Sequence, residues 1–394
     1  MKKWKKWSEK EIFSILFVIF LCGFSVCNWY VHGDKIMENP EEETVNEELL
    51  LRYPMVEAYG FLQMMMGKHE ENGFDRVKDK RGFLYTGNFW NGFGEDQKEL
   101  AVRVCYLREQ LEKTGTKTGF ILWPMKLAEP EDRYLGIPYN DFTKLGDSMA
   151  AWLRYYGVPL LDLRELKEKR GMSQEQFFFK TDHHWTPLAA FEGYLEITDW
   201  IEETYGEKLD PDGTLHNKEN YEQETFEKVM LGSAGQDAGV LFSGGMEDLT
   251  LIYPKEKGNY RLKEGTLDNY QIKEGSFQDA LMEMSCLEIE SYEEWYQQKA
   301  GEIYLGNSVE QYVSIENLQA DTDSSVLLLR DSFAQPVGPL LAQSFRKVDM
   351  LWTLEITEEE LGDFLEKNHY DYVFFALFPE NLRSDAFPFG MEED

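Results

Sequence analysis

Three continuous apolar runs near the end of the chain constrain its fold more than any other feature of the sequence. They lie at residues 326–329, 348–351 and 372–376, and helical segments that begin at Pro336 and Glu358 separate them. A strand made only of apolar residues has to be covered on both faces, as in a parallel sheet flanked by helices. This alternation predicts an α/β fold.

The same alternation occurs earlier in the chain. Residues 95–113 and 141–156 have helical patterns, and each is followed by an apolar run of the buried-strand type, at 119–123 and 158–163. Another amphipathic helix is predicted over Pro187–Tyr205, where the proline stands at a helix start and its missing N–H costs nothing. These segments extend the predicted parallel sheet toward the N-terminus.

Residues 206–325 interrupt this rhythm with short segments punctuated by glycine, which predicts a β-rich insertion. We expect the folded domain to cover residues 76–394, insertion included. Residues 32–75 are predicted to form an acidic linker followed by a juxtamembrane helix at 49–66. The 42% hydrophobic and 14% aromatic content supports a globular body, because disordered chains lack the apolar surface that stabilises a core.

The N-terminus has the pattern of a membrane anchor. Residues 12–31 carry no charge, and a helix of 20 residues spans about 30 Å, the thickness of a hydrocarbon core. Lysines within residues 1–11 predict a cytoplasmic N-terminus and a body outside the cytoplasm. The alternative is a cleaved signal peptide, but residues 24–30 offer a poor cleavage site. We therefore predict a single-pass protein of the cell membrane.

Charge and cysteine content narrow the functional classes. The formal net charge of −33 repels nucleic acid, so no nucleic-acid partner is expected. Cys105 and Cys286 are the two cysteines outside the predicted membrane span. Two cysteines carry no framework pattern, and the sequence leaves open whether they form a disulfide or remain free thiols.

Two short motifs bring together the residue types of a serine acyl-transfer site. Ser332 stands after a buried strand and before a helix, where a hydroxyl projects from the C-terminal edge of a sheet. A serine needs a base to accept its proton, and the motif at residues 180–187 offers His184. Asp182, two positions earlier on a segment expected to be extended, would point to the same side and orient the imidazole.

Other interpretations of these motifs remain open at this point. An Asp-Ser pair occurs often by chance, and His183 with His184 could bind a metal ion. Adjacent histidines on a strand face opposite sides, however, and no further ligand stands at a suitable spacing. We therefore predict neither a metal nor a cofactor, and we expect the ring of His183 to face away from Asp182 and His184.

The sequence also resembles a known family. Asp182-His183-His184-Trp185 matches the signature for which the DHHW family is named, and residues 82–85, 229–254 and 327–349 resemble other blocks of that family. DHHW proteins are similar to the alginate O-acetylation proteins, which contain a circularly permuted SGNH-hydrolase-like domain. The resemblance implies a flavodoxin-like sandwich with the acid and base early in the chain and the nucleophilic serine late.

The resemblance also implies roles and partners. Asp182 matches the orienting acid, His184 the base and Ser332 the nucleophile, while Gly306 and Asn307 resemble blocks that complete an oxyanion hole. The implied function is O-acetylation of a cell-surface polysaccharide, with a membrane O-acyltransferase partner that supplies acyl groups. An acetyl esterase with the same triad and a non-catalytic glycan-binding scaffold are the alternatives.

Overall fold

The computed structural model describes residues 8–38, 49–87, 96–289, 291, 294–297, 300–305 and 310–383. Two sequence-based predictions fall on other residues. Most of the predicted acidic linker, at residues 39–48, lies outside the described residues. The predicted oxyanion-hole residues, Gly306 and Asn307, also lie outside them.

Most strands of the described chain belong to one large sheet, as the alternation of apolar runs predicts. The strands are β1 Glu70–Glu71, β2 Arg76–Lys78, β3 Leu84–Thr86, β4 Lys117–Leu122, β5 Leu160–Asp162, β6 Tyr221–Met230, β7 Glu247–Pro254, β8 Tyr260–Gly265, β9 Tyr270–Gly275, β10 Tyr312–Asn317, β11 Ser325–Arg330, β12 Lys347–Trp352 and β13 Tyr372–Leu377. Eight of them form the central sheet in the order β5-β4-β13-β11-β12-β10-β8-β9. The first five run parallel, and β10, β8 and β9 join by antiparallel pairing.

Helices cover both faces of this sheet. Those of the described chain are α1 Glu9–Glu38, α2 Arg52–Met65, α3 Asp96–Glu112, α4 Thr143–Tyr155, α5 Leu166–Arg170, α6 Gln174–Phe177, α7 Pro187–Tyr205, α8 Ser233–Ala238, α9 Val240–Ser243, α10 Phe277–Leu281, α11 Glu294–Gln297, α12 Val337–Leu341 and α13 Glu358–Lys367. Helix α7 begins at Pro187 and ends at Tyr205, the bounds that the sequence predicts. The mixed α/β architecture with a large central sheet is therefore confirmed.

Strand β11 shows why its residues are all apolar. Val326 and Leu328 belong to the core cluster that contains α7 and α12, while Leu327 and Leu329 belong to the cluster that contains α3, α4 and α13. Successive side chains of a strand point to opposite faces, so a strand covered by helices on both sides has no solvent-facing position. The packing of β11 accounts for the continuous apolar run and fixes the place of Ser332 at its end.

The strands of residues 206–325 lie in two places. Strands β6 and β7 form a separate antiparallel pair, whereas β8, β9 and β10 continue the central sheet beyond β12. A third small sheet is formed by β1, β2 and β3. The β-rich region therefore contributes both to the core and to the surface near the end of β11.

The N-terminal helix α1 is longer than the apolar stretch it contains. Among the described residues it is the helix that is long and apolar enough to cross a membrane, and its apolar side chains are largely exposed. A membrane anchor and a signal sequence share these properties. The helix continues beyond residues 12–31 at both ends, which is consistent with the absence of proline before Pro40.

Candidate active site

A buried carboxylate holds the turn that presents Ser332. Strand β11 ends immediately before Asp331, and a single 3-10 turn begins at Ser332. The Asp331 carboxylate accepts hydrogen bonds from the backbone N–H of Phe333 (3.1 Å), the backbone N–H of Phe378 (2.6 Å) and the side-chain amide of Asn381 (3.0 Å). Burial raises the pKa of Asp331, although these hydrogen bonds oppose the shift. The serine turn is thereby tied to the segment that follows β13.

Asp182, His184 and Ser332 form a continuous hydrogen-bonded chain. His184 Nδ1 lies 2.6 Å from Asp182 Oδ1, and His184 Nε2 lies 2.7 Å from Ser332 Oγ. The two motifs thus meet although 148 positions separate His184 from Ser332. They do so at the C-terminal ends of the parallel strands, the edge at which α/β proteins present their functional groups.

The environment of Asp182 keeps its carboxylate ionised. Burial by itself would raise its pKa, but the adjacent histidines and the hydrogen bonds from His184 outweigh burial and hold the pKa well below its usual value. Asp182 Oδ1 also accepts the backbone N–H of His184 (2.9 Å), and Oδ2 accepts the backbone N–H of Ser233 (2.9 Å). Since an ionised carboxylate only accepts, His184 Nδ1 donates to Asp182, and this contact turns Nε2 toward the Ser332 hydroxyl.

The expectation that His183 faces away from its neighbours is wrong. Its ring centroid lies 3.9 Å from that of His184, and its Nδ1 lies 3.5 Å from Asp182 Oδ1. Residues 180–184 form a series of bends and not the extended segment that the prediction assumed, so the alternation of side chains does not apply. Partial burial, with about half of the side chain still exposed, and the adjacent His184 lower the pKa of His183.

The three side chains of this segment also lie close enough to hold a metal ion, with their ligand atoms within 4.8 Å of one another. The sequence did not reveal this cluster, because an extended segment would orient the two histidines in opposite directions. Two of the three side chains are already engaged, however. Asp182 accepts from His184 and Ser233, and His184 Nε2 contacts Ser332. The expectation of a metal-free site stays a prediction, with a test given below.

Lys126 holds the backbone beside the site through hydrogen bonds, and the sequence analysis did not identify this residue. Its ammonium group is buried and donates to the backbone carbonyls of Leu84 (2.7 Å), Lys180 (3.0 Å) and Asp182 (2.7 Å). Burial lowers the pKa of Lys126 to about 8, against the opposing effect of nearby carboxylates. Lys126 lies a few residues after β4, at the same sheet edge as Ser332, and this position in the sequence could have identified it as a site residue.

Glu247 and Gly232 complete this support from the β-rich region. The Glu247 carboxylate accepts the backbone N–H groups of Lys180 (2.6 Å) and Thr181 (2.7 Å). At Gly232 the backbone approaches Asp182 so closely that an added Cβ would lie 2.3 Å from the Asp182 Cβ. Only glycine fits there, which allows Ser233 at the start of α8 to reach the Asp182 carboxylate.

Trp185 joins the two motifs directly. Its ring is 2% exposed, packs against Trp123, and donates from Nε1 to the backbone carbonyl of Phe333 (3.1 Å). This hydrogen bond connects the residue after His184 with the residue after Ser332. Through these contacts Trp185 packs in the core and holds the His184 loop against the serine turn.

The triad opens into a cleft of about 530 Å³. Its walls come from the serine turn, the 179–187 segment, the start of α8 and helix α2, and they include Arg52, Tyr53, Gln236, Tyr296, Tyr304 and Gln335. Cys105 and Cys286 do not line it, and no disulfide joins them. The cleft is large enough for a sugar unit or an acyl group beside Ser332.

A parallel α/β sheet with these groups at its C-terminal edge resembles an SGNH-hydrolase-like domain. Residues 92–238 match the family described as "SGNH hydrolase-like domain, acetyltransferase AlgX". The resemblance to the alginate O-acetylation proteins that the motifs indicate is thereby confirmed. No curated protein matches the chain.

Solved structures share the fold. Bacillus cereus PatB1 with a sulfonyl adduct superposes with a TM-score of 0.62 at 21% identity, over 80% of this chain and 98% of PatB1. A DHHW family protein from Eubacterium siraeum superposes with a TM-score of 0.53 at 17% identity, over 78% of this chain and 94% of its own. At these identities the likeness establishes the common architecture.

Proposed function

We propose that this protein is a membrane-anchored O-acetyltransferase that acts outside the cytoplasm on a cell-surface polysaccharide. In this proposal Ser332 is the nucleophile, His184 the general base and Asp182 the orienting acid. The observation that carries it is the pair of short contacts at His184, 2.6 Å to Asp182 and 2.7 Å to Ser332, at the wall of an open cleft. A serine with a correctly oriented base within hydrogen-bond reach is the geometry that nucleophilic acyl transfer requires.

The reaction follows from these contacts. Ser332 Oγ attacks the carbonyl carbon of an acetyl ester while His184 Nε2 takes its proton. The tetrahedral intermediate collapses, the donor oxygen leaves with that proton, and acetyl-Ser332 remains. A sugar hydroxyl then attacks the acetyl carbon and gives its proton to His184, which returns it to Ser332 Oγ. Asp182 stabilises the imidazolium that forms in each half-reaction.

The oxyanion of each intermediate needs hydrogen-bond donors. We assign this role to the backbone N–H of Ser332, at the first position of its 3-10 turn, and to Gly306 and Asn307 by resemblance. The backbone N–H of Phe333 is engaged with Asp331 and serves the turn. Replacing one oxyanion-hole donor lowers kcat by about 10²–10³ in other enzymes, and we expect the same of Asn307→Ala.

The proposed substrate and location have separate support. The matching family is named for acetyltransferase AlgX, and the PatB1 structure carries a sulfonyl adduct. Sulfonylating reagents form adducts with activated nucleophiles, which supports a reactive nucleophile in this fold. The apolar helix α1, with lysines before it, supports an anchored body outside the cytoplasm. A membrane O-acyltransferase partner that delivers the acetyl group completes the proposal.

Full-length protein in detergent tests the chemistry. A phenylsulfonyl fluoride should label Ser332, as located by peptide mass spectrometry, and should stop hydrolysis of a small acetyl ester. Ser332→Ala should abolish labelling and turnover, whereas Ser285→Ala, a change at an exposed serine, should alter neither. A chelator should leave the rate unchanged. Loss of activity on chelation, restored by added metal, would contradict the metal-free mechanism.

Acceptor choice separates the proposal from its alternatives. Acetate released without glycan at the rate of transfer would identify an esterase, since water would then compete fully for the acetyl-enzyme. Absence of labelling and turnover in a folded protein that still binds polysaccharide would identify a scaffold. Acetylated oligosaccharide, formed only with Ser332 intact and faster than free acetate, is the expected result.

A further inference from the structure

Helix α2 turns its apolar side away from the protein. A stripe at three- and four-residue spacing is exposed along its length: Leu51 at 62%, Met55 at 41%, Tyr59 at 44%, Leu62 at 57% and Met66 at 63%. These five side chains, hereafter the outer stripe, lie on one face of the helix, because residues three and four apart are neighbours on a helix surface. The outer stripe carries no charge.

The opposite side of α2 faces the body, and it is polar. Glu57 accepts the backbone N–H of Val240 (2.5 Å) and of Leu241 (3.2 Å) at the start of α9. Gly60 is buried, and an added Cβ there would lie 2.3 Å from the carbonyl oxygen of Ala238. Gln63 is also buried, at 4% exposure. The contact with the body therefore uses the Glu57 carboxylate and the close backbone approach at Gly60.

This arrangement is the reverse of a surface helix in a water-soluble domain, which buries its apolar stripe and exposes its polar face. Burial of apolar surface stabilises by about 25 cal/mol per Å², so an exposed stripe of large side chains is unfavourable in water. A contiguous apolar patch of this kind marks an interaction surface. The outer stripe therefore needs an apolar environment outside the domain.

The position of α2 beside α1 identifies that environment. The backbone N–H of Leu50 donates to the side-chain oxygen of Asn28 (2.8 Å), and the Asn28 amide donates to the carbonyl of Phe24 (2.9 Å). Asn28 precedes Val31, the last residue of the uncharged stretch, by three positions, or about 5 Å along a helix. The start of α2 thus lies at the depth of the outer end of the proposed membrane span.

We propose that α2 lies in the membrane–water interface, with the outer stripe inserted among the lipid acyl chains and the polar side bound to the catalytic domain. Helices of this kind bury their apolar face about 5–10 Å into the headgroup–acyl boundary. The inference rests on the proposed membrane anchor. It goes beyond the anchor by giving the domain a second contact with the bilayer and a defined orientation.

This second contact bears on the cleft. Arg52 and Tyr53, in the first turn of α2, line the same cleft as Ser332, and the ring of Tyr53 stacks on that of Tyr296 at 4.6 Å. Seating α2 in the interface holds this wall of the cleft and places the cleft mouth beside the membrane surface. Because the outer stripe is uncharged and the chain carries a net charge of −33, apolar burial drives the contact, without anionic lipid.

Fluorescence quenching on the full-length chain in phosphatidylcholine vesicles tests the proposal. In a variant whose native cysteines are replaced, Leu62→Cys carries an environment-sensitive fluorophore. Ile272→Cys, at a position 56% exposed on β9, is the matched control. The label at 62 should be quenched by lipids with a nitroxide high on the acyl chain and shielded from iodide. The label at 272 should show the reverse, and added anionic lipid should not increase quenching at 62.

Two quenching outcomes overturn the proposal. Equal iodide quenching at both positions would place α2 in water. Shielding at 62 without quenching by lipid nitroxide would assign the outer stripe to a protein partner, either a second copy or another chain. Release of the chain from vesicles by alkaline carbonate would overturn the anchor and the proposal with it. Acetyl ester hydrolysis is measured on the same vesicles. If only the catalytic assignment is incorrect, hydrolysis is absent while the quenching pattern at position 62 is still the expected one.

Discussion

At the scale of single residues, the Asp182 carboxylate decides which of the two histidines reaches Ser332. The carboxylate holds His184 by both its Nδ1 and its backbone N–H, which directs Nε2 to Ser332. The ring of His183 packs at a tilt against that of His184 and also contacts the rings of Phe333 and Phe378, at centroid distances of 5.9 and 6.2 Å. These contacts favour a packing role for His183 beside His184.

Substitutions in the triad should show these roles. Ser332→Ala and His184→Ala should each lower kcat for acetyl ester hydrolysis by about 10⁴ or more, and the double variant should lose little further, because the residues act as one unit. Asp182→Asn should be damaging but less so, through a misoriented ring. His183→Ala removes aromatic contacts worth about 1 kcal/mol and should lower kcat by about tenfold or less.

Melting temperatures and steady-state rates on the same preparations check these expectations. If His183→Ala were as inactive as Ser332→Ala while His184→Ala kept its rate, the assignment of the base would be wrong. Wild-type rates in all four single variants would remove the catalytic proposal altogether.

A second residue, Glu71, links stability to pH. It is fully buried, and both carboxylate oxygens lack a hydrogen-bond partner within the part of the chain that the structure describes. Burial raises its pKa to about 8, and the neighbouring carboxylates of Glu70, Asp237 and Glu57 add to the shift. The folded protein therefore holds a proton that the unfolded chain releases above the ordinary glutamate pKa of 4.5.

Glu71→Gln should remove this dependence. A raised folded pKa means that stability falls as pH rises from about 4.5 to about 8, so the variant should melt higher than wild type at about pH 8.5 and nearly equally at about pH 5. The gain at high pH should reach about 2–4 kcal/mol. Thermal melts at both pH values measure it, with Glu256→Gln, at an exposed position, as the control. An equal shift at both pH values would contradict the assignment to Glu71.

At the scale of elements, three separate parts of the chain hold the 180–185 segment. Lys126 reaches it from the end of β4, Glu247 from the start of β7, and Ser233 from the start of α8. Each donates to or accepts from the backbone of the segment or the Asp182 carboxylate. The bends that bring His183 and His184 together are therefore held by hydrogen bonds from outside, and the segment needs no regular structure of its own.

Lys126→Met tests this support. The change keeps the apolar stem and removes the donors to three backbone carbonyls, which should cost about 2–4 kcal/mol of stability. Because the Asp182 backbone loses a contact, kcat and the rate of Ser332 sulfonylation should fall together while KM changes little. Chemical denaturation and labelling kinetics measure these effects, with Lys257→Met, at an exposed lysine, as the control. A destabilised variant with unchanged labelling would restrict Lys126 to a structural role.

At the scale of the whole molecule, the proposed membrane anchor and the proposed catalytic groups lie near each other. Helix α1 leads to α2, which lines the cleft that contains Ser332. The sheet edge with the triad and the proposed membrane contact thus share one region of the surface. A body anchored in this way is expected to act on polymer that lies close to the membrane.

Protease treatment of intact, wall-stripped cells tests the orientation of the body. The domain at residues 76–394 should be digested, while a fragment that contains residues 1–31 stays with the membrane, because lysines before the apolar stretch keep the N-terminus inside. A cytoplasmic protein serves as the control for intact cells. Protection of the domain, or its recovery as a trimmed soluble form, would contradict the anchored topology.

The sequence by itself determined the elements and the chemistry of the motifs. Apolar runs without polar positions required strands covered on both faces, as β11 and β13 are, and the bounds of α7 follow from its proline start and its periodicity. Burial has a local period that a single strand or helix displays, so it is visible in the order of residues. Asp182, His184 and Ser332 were selected as candidate site residues from the motifs in which they stand.

Only the tertiary structure decided which groups meet. Strand β13 is the last of the described strands yet lies between β4 and β11, and this order brings Lys126, His184 and Ser332 to one edge. The orientation of His183 depends on bends imposed by distant side chains, which local periodicity does not encode. The outward apolar face of α2 is likewise a tertiary property, because the sequence marks a stripe as apolar without saying whether a protein core or a bilayer will cover it.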